Sequence, residues 1–477
     1  MLSVNWLTFV CAKNQITDLR NNLSFILHQK YVFCACFAIY RKRRRLRGLD
    51  LKVLFVYPPT QIKFGKSKLS PPLGVLYLAS VVEKAGHDIK VVDMRVKDEK
   101  PEEVRRYVNS FRPDVVGISG ITTDYPFCLR MATAFKKFKP GVINIMGGPH
   151  VTFTAEEVLE KNKDVDIIVR GEGEDTFIRL LKAFSQASSL NSVEGITFRY
   201  KGKITSTKQR PYIDDLDKLP SPARHLVPLK DYEYISIITS RGCPYQCTFC
   251  STRLMWGPRY RTRSPFKIVD EMQNISERLG FRRITLEDDN FTFDQARAKE
   301  ICNEIIKRKL DVNWSCSTRV DNFDRDLLCM MKKAGCDEIY LGIESGSQKT
   351  LNMVKKDLSV DTIRRGIKIL KKEDIEFTAS FIIGFPWETE EDIRETLRFA
   401  TEVNAKRVQF HFPVPYPGTE FRRKLGFYCG EIKLIGWEHY HASTQIVKTK
   451  IPEKKLFQLY TEGILRLSDD HTLIQIP

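Results

Sequence analysis

The 477-residue sequence lacks several features that would place it in a special class of protein. It has no low-complexity tract and no internal repeat, which excludes a solenoid or a propeller. The apolar stretch at residues 23–40 is interrupted, and its longest continuous part, residues 31–40, is short of the roughly 20 residues that a membrane-spanning helix needs. We therefore expect no integral membrane segment.

A disulfide framework is also missing. The twelve cysteines are mostly dispersed, and only Cys243, Cys247 and Cys250 are gathered closely. Scattered cysteines in a chain of this length are typical of a reducing compartment. We therefore expect a cytoplasmic protein.

The formal charge of +18 is unevenly distributed. Residues 1–50 hold nine Lys or Arg and two Asp, a net charge of +7, which leaves +11 for the rest. A basic surface attracts nucleic acid or anionic substrates, but a solvated, lysine-rich exterior is the simpler interpretation. We expect residues 1–50 to be an N-terminal extension that is disordered or included by start-site choice; a membrane anchor or a nucleic-acid arm is the alternative.

From residue 51 onwards, apolar runs alternate with helical patterns. Continuous apolar runs of this kind predict parallel strands that are buried on both faces. The five predicted strands are 51–57, 88–94, 114–120, 142–148 and 165–171. Five strand–helix units predict an open, doubly wound (Rossmann-like) α/β domain over residues 51–190, with ligands bound at the carboxyl ends of its strands.

Residues 191–230 break this alternation, with a predicted hairpin at 196–204 followed by a proline-punctuated linker. A second series of six strand–helix units follows over residues 231–425. This series predicts a partial or complete β/α (TIM-type) barrel, whose active site lies at the C-terminal ends of its strands. The remaining residues, 426–477, are predicted to be a helical tail.

The three clustered cysteines lie in the stretch SRGCPYQCTFCS, directly after the first predicted strand of the barrel. Their CxxxCxxC spacing lacks the second CxxC or histidine pair of a structural zinc site, and it has too few cysteines for a two-cluster ferredoxin. Three thiolates on one loop suit three irons of a cubane [4Fe–4S] cluster. The fourth iron is then open to an exchangeable ligand.

This motif, with the aromatic Phe249 before its last cysteine, resembles the signature of the radical S-adenosylmethionine (SAM) family. The resemblance implies that SAM chelates the open iron and that the reduced cluster cleaves SAM to methionine and a 5′-deoxyadenosyl radical. That radical abstracts hydrogen from a substrate. The SAM-binding residues implied by the resemblance are Phe249, Asp288, Asp289, Arg319, Glu344 and Ser345.

The resemblance also divides the roles of these residues. Asp288 or Asp289 would accept hydrogen bonds from the SAM amino group, and the sequence leaves open which of the two does so. Arg319 would bind the SAM carboxylate, and Glu344 with Ser345 would bind the ribose. The turns at 382–389 and 413–420 are predicted to close the barrel mouth.

Glycine follows three successive strands of the first domain, in the stretches GISG, GGPH and RGEGE. Glycine lets a backbone approach a large planar or phosphorylated ligand. No GxGxxG follows the first strand, which argues against a dinucleotide. Residues 51–185 instead resemble the cobalamin-binding domain of B12-dependent radical SAM proteins. The resemblance implies cobalamin contacts from Ser119, Thr122, Gly147, Gly148 and Gly171.

The DxHxxG histidine loop of methionine-synthase-type domains is absent, and His150 is interpreted as a structural residue. Any cobalt is therefore expected to lack a histidine ligand from the protein, which leaves it free to carry a methyl group. The resemblance thus implies an enzyme with three cofactors, namely a [4Fe–4S] cluster, SAM and cobalamin.

We predict that this enzyme methylates an unactivated carbon or phosphorus centre of an unknown small molecule. A reducing partner such as flavodoxin or ferredoxin is expected, and nucleic acid is not. The nearest alternative keeps the cofactors but catalyses a cyclisation or rearrangement, as in the anaerobic magnesium-protoporphyrin ester cyclases that this architecture resembles.

Two further alternatives are weaker. An RNA methylthiotransferase carries a second cluster on three N-terminal cysteines, whereas residues 51–242 contain only Cys128. A non-catalytic cobalamin or electron-transfer module would have no need of a cluster with an open iron.

Overall fold

The computed structural model describes residues 50–60, 69–428, 430–433, 435–468 and 473–474. The predicted N-terminal extension, apart from Asp50, lies outside these residues. Within the described residues, no helix is both long and apolar enough to cross a membrane.

Seven strands form the first sheet. They are β1 (Lys52–Tyr57), β2 (Asp88–Asp93), β3 (Val115–Ser119), β4 (Ile143–Gly147), β5 (Ile167–Val169), β6 (Ile196–Tyr200) and β7 (Lys203–Ser206). Their order is β2-β1-β3-β4-β5-β6-β7, and the first five are parallel, as predicted. The predicted hairpin forms β6 and β7. It pairs antiparallel with β5 and so extends the first sheet, whereas the sequence places it in the connection between the domains.

Helices cover both faces of this sheet. They are α1 (Leu73–Lys84), α2 (Val104–Phe111), α3 (Tyr125–Phe138), α4 (Pro149–Phe153), α5 (Ala155–Lys161) and α6 (Glu174–Ser185). In β1, Phe55 lies in the core beneath α1 and α6, and Leu54 lies in the core beneath α2 and α3. Successive side chains point to opposite faces of a strand, so the continuous apolar run fills two separate cores.

The strands that follow the linker begin with three short ones of two or three residues. They are β8 (Ile235–Ile237), β9 (Ser240–Arg241), β10 (Arg261–Thr262), β11 (Arg283–Leu286), β12 (Asn313–Thr318), β13 (Cys336–Glu344), β14 (Glu376–Ile382), β15 (Arg407–His411), β16 (Glu431–Ile432), β17 (Val447–Lys448) and β18 (Leu473–Ile474).

Seven of these strands form a parallel sheet in the order β18-β15-β14-β13-β12-β11-β8. Within the described residues, β18 and β8 are its outer strands, so the structure shows the partial form of the predicted barrel. The other four strands form the antiparallel pairs β9–β10 and β16–β17.

The helices of this part of the chain lie on the outside of the partial barrel or in the tail. They are α7 (Thr252–Trp256), α8 (Pro265–Gln273), α9 (Gln295–Arg308), α10 (Arg325–Lys333), α11 (Gln348–Met353), α12 (Val360–Lys372), α13 (Glu390–Val403), α14 (Glu420–Arg423) and α15 (Glu453–Ser468). A π-helical turn, Asn274–Arg278, continues α8. The sequence did not predict α4, α7, α11 or α14, which at four to six residues are too short for a helical period to be recognised.

The inner face of the partial barrel is polar. On β15, Val408 and Phe410 belong to the core beneath the helices, so Gln409 and His411 face the lumen. On β14, Phe377 and Phe381 lie in the same core, and the intervening Ser380 faces inward. A lumen lined in this way accommodates a polar ligand at the ends of the strands.

Candidate active site

The cysteine loop, residues 242–251, connects β9 to α7 at the carboxyl end of β8. Gly242 begins the loop with a φ of +95°, and a Cβ at this position would collide with the carbonyl oxygen of Arg259. Cys243 then donates its backbone N–H to the carbonyl oxygen of Gly257 at 3.2 Å. The chain can turn towards the lumen here only because residue 242 is glycine.

Two later segments of the barrel hold the middle of this loop. The backbone N–H of Thr248 donates to the carbonyl oxygen of Val354 at 2.9 Å, and the N–H of Phe421 donates to the carbonyl oxygen of Thr248 at 2.9 Å. Phe249 packs beside this junction, with its ring centroid 6.4 Å from that of Phe385. The loop is therefore fixed at both faces by long-range contacts.

All three clustered thiols are partly buried. Burial raises the pKa of each of them, to about 11 for Cys247, even though Lys356 lowers the pKa of Cys247 in part. Without metal these groups are therefore thiols at neutral pH, and metal binding must displace their protons.

The donor set fits an iron–sulfur cluster better than a single ion. In the part of the chain that the structure describes, no group of three or more His, Cys, Asp or Glu side chains is arranged to hold one metal ion. A cubane cluster makes no such demand, because each cysteine binds a different iron. Cys243, Cys247 and Cys250 on one loop therefore suit a [4Fe–4S] cluster with one iron left open.

The two predicted acids have different environments. Asp288 is buried, and its carboxylate accepts hydrogen bonds from the N–H groups of Thr239 at 2.7 Å and Ser240 at 3.0 Å, and from the Thr239 hydroxyl. Both of its oxygens are occupied in holding the turn between β8 and β9. This environment favours Asp289 as the acid that is available to a ligand, a choice that the sequence left open.

Asp289 is solvent-accessible, although protein closely surrounds its carboxylate. It accepts a hydrogen bond from the hydroxyl of Thr252 at 2.8 Å. Burial, with a contribution from Asp288, raises the pKa of Asp289 to about 6. Its charge acts on the thiols of Cys243 and Cys250, so it lies beside the cysteine loop.

A second set of charges lies beside Cys247. Lys356 donates to Glu344 at 2.8 Å, and both side chains are buried. Arg319 donates to Asp321 at 3.0 Å and to the carbonyl oxygen of Lys356 at 2.7 Å. The structure thus brings Arg319 and Glu344 together at the cysteine loop, and it adds Lys356, which the sequence analysis missed.

Ser345 does not face this site, contrary to the expectation. Its hydroxyl lies 2.9 Å from that of Thr396 and accepts the N–H of Ser347 at 3.1 Å, fully buried under α13. The pairing of β13 with β14 shifts register between Gly342 and Glu344, and Glu344 has a φ of +71°. Ile339, Leu341 and Ile343 of β13 lie in the core beneath the helices, so Ser345, on the same side of the chain, points away from the lumen by ordinary alternation.

The two predicted turns lie at the barrel mouth, and each makes a contact that the sequence did not indicate. The carboxylate of Glu388 accepts the N–H groups of Gly384 at 2.7 Å and Phe385 at 2.8 Å, which fixes the first turn. A Cβ at Gly418, in the second turn, would lie 2.7 Å from the ring of Phe153 in α4. The second turn therefore packs against the first domain.

His411 is a further lumen residue that the sequence analysis missed. It ends β15, and its Nδ1 atom is buried without a hydrogen-bond partner. Burial lowers its pKa, although the charge of Glu344 acts in the opposite direction. The signal that would have revealed it is the alternation of β15, which places residues 407, 409 and 411 on one face.

A cleft with a volume of about 200 Å³ lies at the carboxyl ends of β3, β4 and β5. Its lining includes Ser119, Gly147, Gly148 and Gly171, four of the residues for which cobalamin contacts are expected, together with apolar residues such as Phe55. The side facing the barrel is formed by Ile238, Arg241, Met255 and Trp256. This cleft and the cysteine loop therefore share one wall, because β9 and α7 flank the loop.

Thr122, for which a cobalamin contact is also expected, does not line this cleft. It is buried, and its carbonyl oxygen accepts the N–H of Tyr125 at the start of α3. Gly148 is needed for close packing, since it has a φ of +102° and a Cβ would lie 2.6 Å from the carbonyl oxygen of Gly120. The neighbouring glycine loops can lie side by side only because that side chain is missing.

His150 is buried between two aromatic rings, with centroids 4.1 Å from Tyr125 and 4.6 Å from Trp437 of the tail. Burial lowers its pKa to about 4, so the ring is neutral. It does not line the cleft. This position agrees with the structural role that the sequence analysis assigned to it.

Comparison with known proteins identifies both halves of the chain. The family model of the B12 binding domain matches residues 68–181, and that of the Radical SAM superfamily matches residues 237–400. An uncharacterized methyltransferase of Pyrococcus horikoshii is 35% identical over 410 residues, which cover 84% of this chain and 88% of that protein.

This chain belongs to the B12-binding radical SAM family. The anaerobic magnesium-protoporphyrin IX monomethyl ester cyclase of Rubrivivax gelatinosus is 32% identical over 415 residues, covering 83% of this chain and 74% of that one. The structure of the radical SAM methyltransferase TsrM from Kitasatospora setae, solved with cobalamin and a [4Fe–4S] cluster, has a TM-score of 0.75 at 17% identity, covering 90% and 93% of the two chains. At that identity the likeness shows the fold alone.

These matches confirm the predicted fold class, the assignment as a radical SAM enzyme, and the family's cofactors: the [4Fe–4S] cluster, SAM and cobalamin. The contacts of individual residues with those cofactors stay predictions.

Proposed function

We propose that this radical SAM enzyme methylates an unactivated centre of a small molecule, with cobalamin as the methyl carrier. The observation that carries this proposal is the shared wall: Arg241, Met255 and Trp256 line the first-domain cleft and lie on the two elements that flank the cysteine loop. Groups bound at the two sites would face one another across this wall. The Pyrococcus relative, which is named a methyltransferase, supports this outcome.

At the barrel mouth, Cys243, Cys247 and Cys250 would each hold one iron. Asp289 would accept hydrogen bonds from the SAM amino group, since its carboxylate is accessible beside the loop. A cluster with bound SAM supplies a substrate radical, and bound cobalamin supplies a methyl group. Glu344 is oriented by Lys356 and would accept a hydroxyl of the ribose.

At the first-domain cleft, the backbone of Gly147, Gly148 and Gly171 with the hydroxyl of Ser119 would contact cobalamin. The protein would not supply a histidine to the cobalt, because His150 is enclosed by Tyr125 and Trp437.

The substrate would enter the lumen at the strand ends, where Glu287 and His411 face inward beyond the residues assigned to SAM. Glu287 accepts a hydrogen bond from Ser236 at 3.1 Å, and burial raises its pKa. These groups suit a polar small molecule. We also propose a reducing partner such as flavodoxin or ferredoxin and a cytoplasmic location.

Product analysis tests the methylation hypothesis. Anaerobically reconstituted protein with a strong reductant and SAM should form both 5′-deoxyadenosine and S-adenosylhomocysteine, the second only when cobalamin is present. The Cys250→Ala variant should form no 5′-deoxyadenosine. Formation of 5′-deoxyadenosine without any S-adenosylhomocysteine, in the presence of cobalamin, would contradict methyl transfer.

A cyclase or rearrangement activity is the second candidate, because the Rubrivivax cyclase shares 32% identity over most of both chains. Such a reaction moves no methyl group. It would consume SAM as 5′-deoxyadenosine alone, so the same experiment separates the two candidates.

A further inference from the structure

Four buried charges join the first-domain cleft to the cysteine loop. We call Glu172, Glu174, Arg241 and Arg261 the interdomain quartet. Glu172 and Glu174 follow β5 in the stretch RGEGE, and Arg241 and Arg261 lie in β9 and β10. Each side chain is at most 6% exposed. Charged side chains this deeply buried are rare unless they are paired.

Arg241 bridges the two acids through separate nitrogens. Its Nη1 lies 3.1 Å from Glu172 and its Nη2 lies 2.6 Å from Glu174. Arg261 contacts both oxygens of Glu172, at 2.9 and 3.1 Å. A planar guanidinium forms such a fork with fixed geometry, whereas a lysine ammonium cannot span two carboxylates in this way.

Backbone groups complete the quartet. Glu172 accepts the N–H of Ile213 at 2.6 Å, and Arg261 donates to the carbonyl oxygen of Trp256 at 2.7 Å. The Arg241 guanidinium stacks over Tyr77 of α1 and Trp256 of α7, with 5.6 and 5.0 Å to the ring centroids. The four charges are thus connected to the first domain, the linker and the barrel together.

Burial alone would raise the pKa of Glu174, but Arg241 holds it below its usual range. The pair is therefore ionised, and the cost of burying it is offset by several directed hydrogen bonds. Buried ion pairs of this kind contribute little net stability in many proteins, and their best-attested role is to fix a register. A hydrophobic interface would hold the domains together equally well but without the directional contacts.

The position of the quartet shows which register it fixes. Glu172 directly follows Gly171, which lines the cleft, and Arg241 itself lines the cleft and precedes Cys243 by two residues. Any rotation of one domain against the other would separate the Arg241 fork from one of its two acids. The cleft and the cysteine loop cannot move independently without breaking this contact.

We propose that the interdomain quartet is a strut that sets the distance between the cobalamin cleft and the cysteine loop, with Arg241 as its principal positioning residue. This inference rests on the proposed function, because the distance matters only if both sites hold cofactors. In that case the quartet would decide whether the methyl group and the substrate radical come within reach of each other.

The Arg241→Lys variant tests the strut, since it keeps the charge and loses the fork. Hydrogen exchange of residues 170–175 and 240–252 is measured first, on protein without cofactors. We expect exchange to rise about tenfold or more in both segments together, because a charge-assisted hydrogen bond is lost. The matched control is Asp214→Asn, which removes the exposed Arg259–Asp214 pair from the same linker and should change neither segment.

The second measurement uses reconstituted protein, in which the reduced cluster and cob(II)alamin are both paramagnetic. Their magnetic interaction should be well defined in the wild type and broadly distributed in Arg241→Lys, with unchanged iron content. If Arg241→Lys does not fold, Glu174→Gln weakens the same contact from the first-domain side and leaves the Arg241 guanidinium in place.

Two results would overturn the strut. One is an exchange increase confined to one segment, and the other is a magnetic interaction that is the same in the variant and the wild type. Failure of the proposed function would give a different result, because the wild type would then retain no cobalamin. The exchange experiment would still show whether the two segments are coupled.

Discussion

The first-domain cleft and the barrel mouth both lie at the carboxyl ends of parallel strands, but different groups line them. Glycine backbone and apolar side chains such as Phe55 and Ile145 line most of the cleft, and its charges are already paired with each other. The mouth carries partly buried thiols and carboxylates that are accessible to a ligand, such as Asp289.

The two linings predict different modes of ligand recognition. The cleft would select by shape, since a missing Cβ creates the space and no free charge is offered. The mouth would select by charge, since ammonium and iron both need anionic partners. Substitutions that change shape should therefore affect the cleft, and substitutions that change charge should affect the mouth.

The largest expected effect comes from Cys250→Ala. Removal of one of three thiolates should lower the iron content to background and abolish 5′-deoxyadenosine formation, because the cluster loses a ligand that nothing nearby replaces. Iron analysis and SAM cleavage check this. Cys329→Ala is the control, since Cys329 lies on α10 outside the loop and should leave both values unchanged. Retained SAM cleavage by Cys250→Ala would contradict the cluster assignment.

A shape change in the cleft should come next in size. Gly148→Ala places a methyl group 2.6 Å from the carbonyl oxygen of Gly120 at a φ of +102°, a strain of roughly 1–3 kcal/mol. We expect cobalamin retention after desalting to fall about tenfold, with iron content unchanged. Gly141→Ala, where a Cβ meets nothing within 4 Å, should behave like the wild type. Equal loss of both cofactors would show that the cleft and the mouth are not independent.

The adjacent acids allow a sharper test. Asp288→Asn should destabilise the fold by about 2 kcal/mol, because it weakens charge-assisted hydrogen bonds to the turn before the cysteine loop. Asp289→Asn should leave the melting temperature nearly unchanged and weaken SAM binding about tenfold. Thermal unfolding and SAM titration of cluster-loaded protein separate the two. The reverse pattern would show that Asp288 is the ligand contact.

A smaller effect is expected from pH. The pKa of Asp289 is raised to about 6, so its carboxylate is charged above that pH and protonated below it. SAM affinity should therefore fall about fourfold as the pH drops from 7.5 to 5.5, since only the charged form attracts the SAM ammonium. In Asp289→Asn the same titration should be flat. A pH dependence that survives this substitution would assign the effect to another group.

Much of this architecture could be predicted from the sequence, since strands such as β1 are continuous apolar runs. The glycines at the ends of β3, β4 and β5 can also be read directly from the sequence. The cysteine loop could be predicted because its ligands are close in sequence. The features that could not be predicted depend on three-dimensional contacts between residues that are distant in the sequence. The hydrogen bonds between the turn at Thr239 and Asp288, which leave Asp289 as the available acid, are such a case. Ser345 is not, because it lies on the same side of the chain as Ile343, and the alternation of β13 alone turns it away from the lumen.

Long-range pairing was the other limit. Glu172 and Glu174 look like loop acids in RGEGE, and Arg241 looks like part of a cysteine motif 67 residues after Glu174. Only the fold shows that they neutralise one another. Lys356 was missed for the same reason, since it lies in no motif and reaches Glu344 from another segment. His411 was missed although the alternation of β15 would have revealed it.

The central claim is that one chain holds cobalamin and a [4Fe–4S] cluster at two sites that share a wall. The most direct test is to purify the protein anaerobically, reconstitute it with iron, sulfide and hydroxocobalamin, desalt it, and quantify both cofactors by iron analysis and visible absorption. We predict near-equimolar retention of cobalamin and cluster. An intact cluster without retained cobalamin would contradict the account and assign the first-domain cleft another ligand.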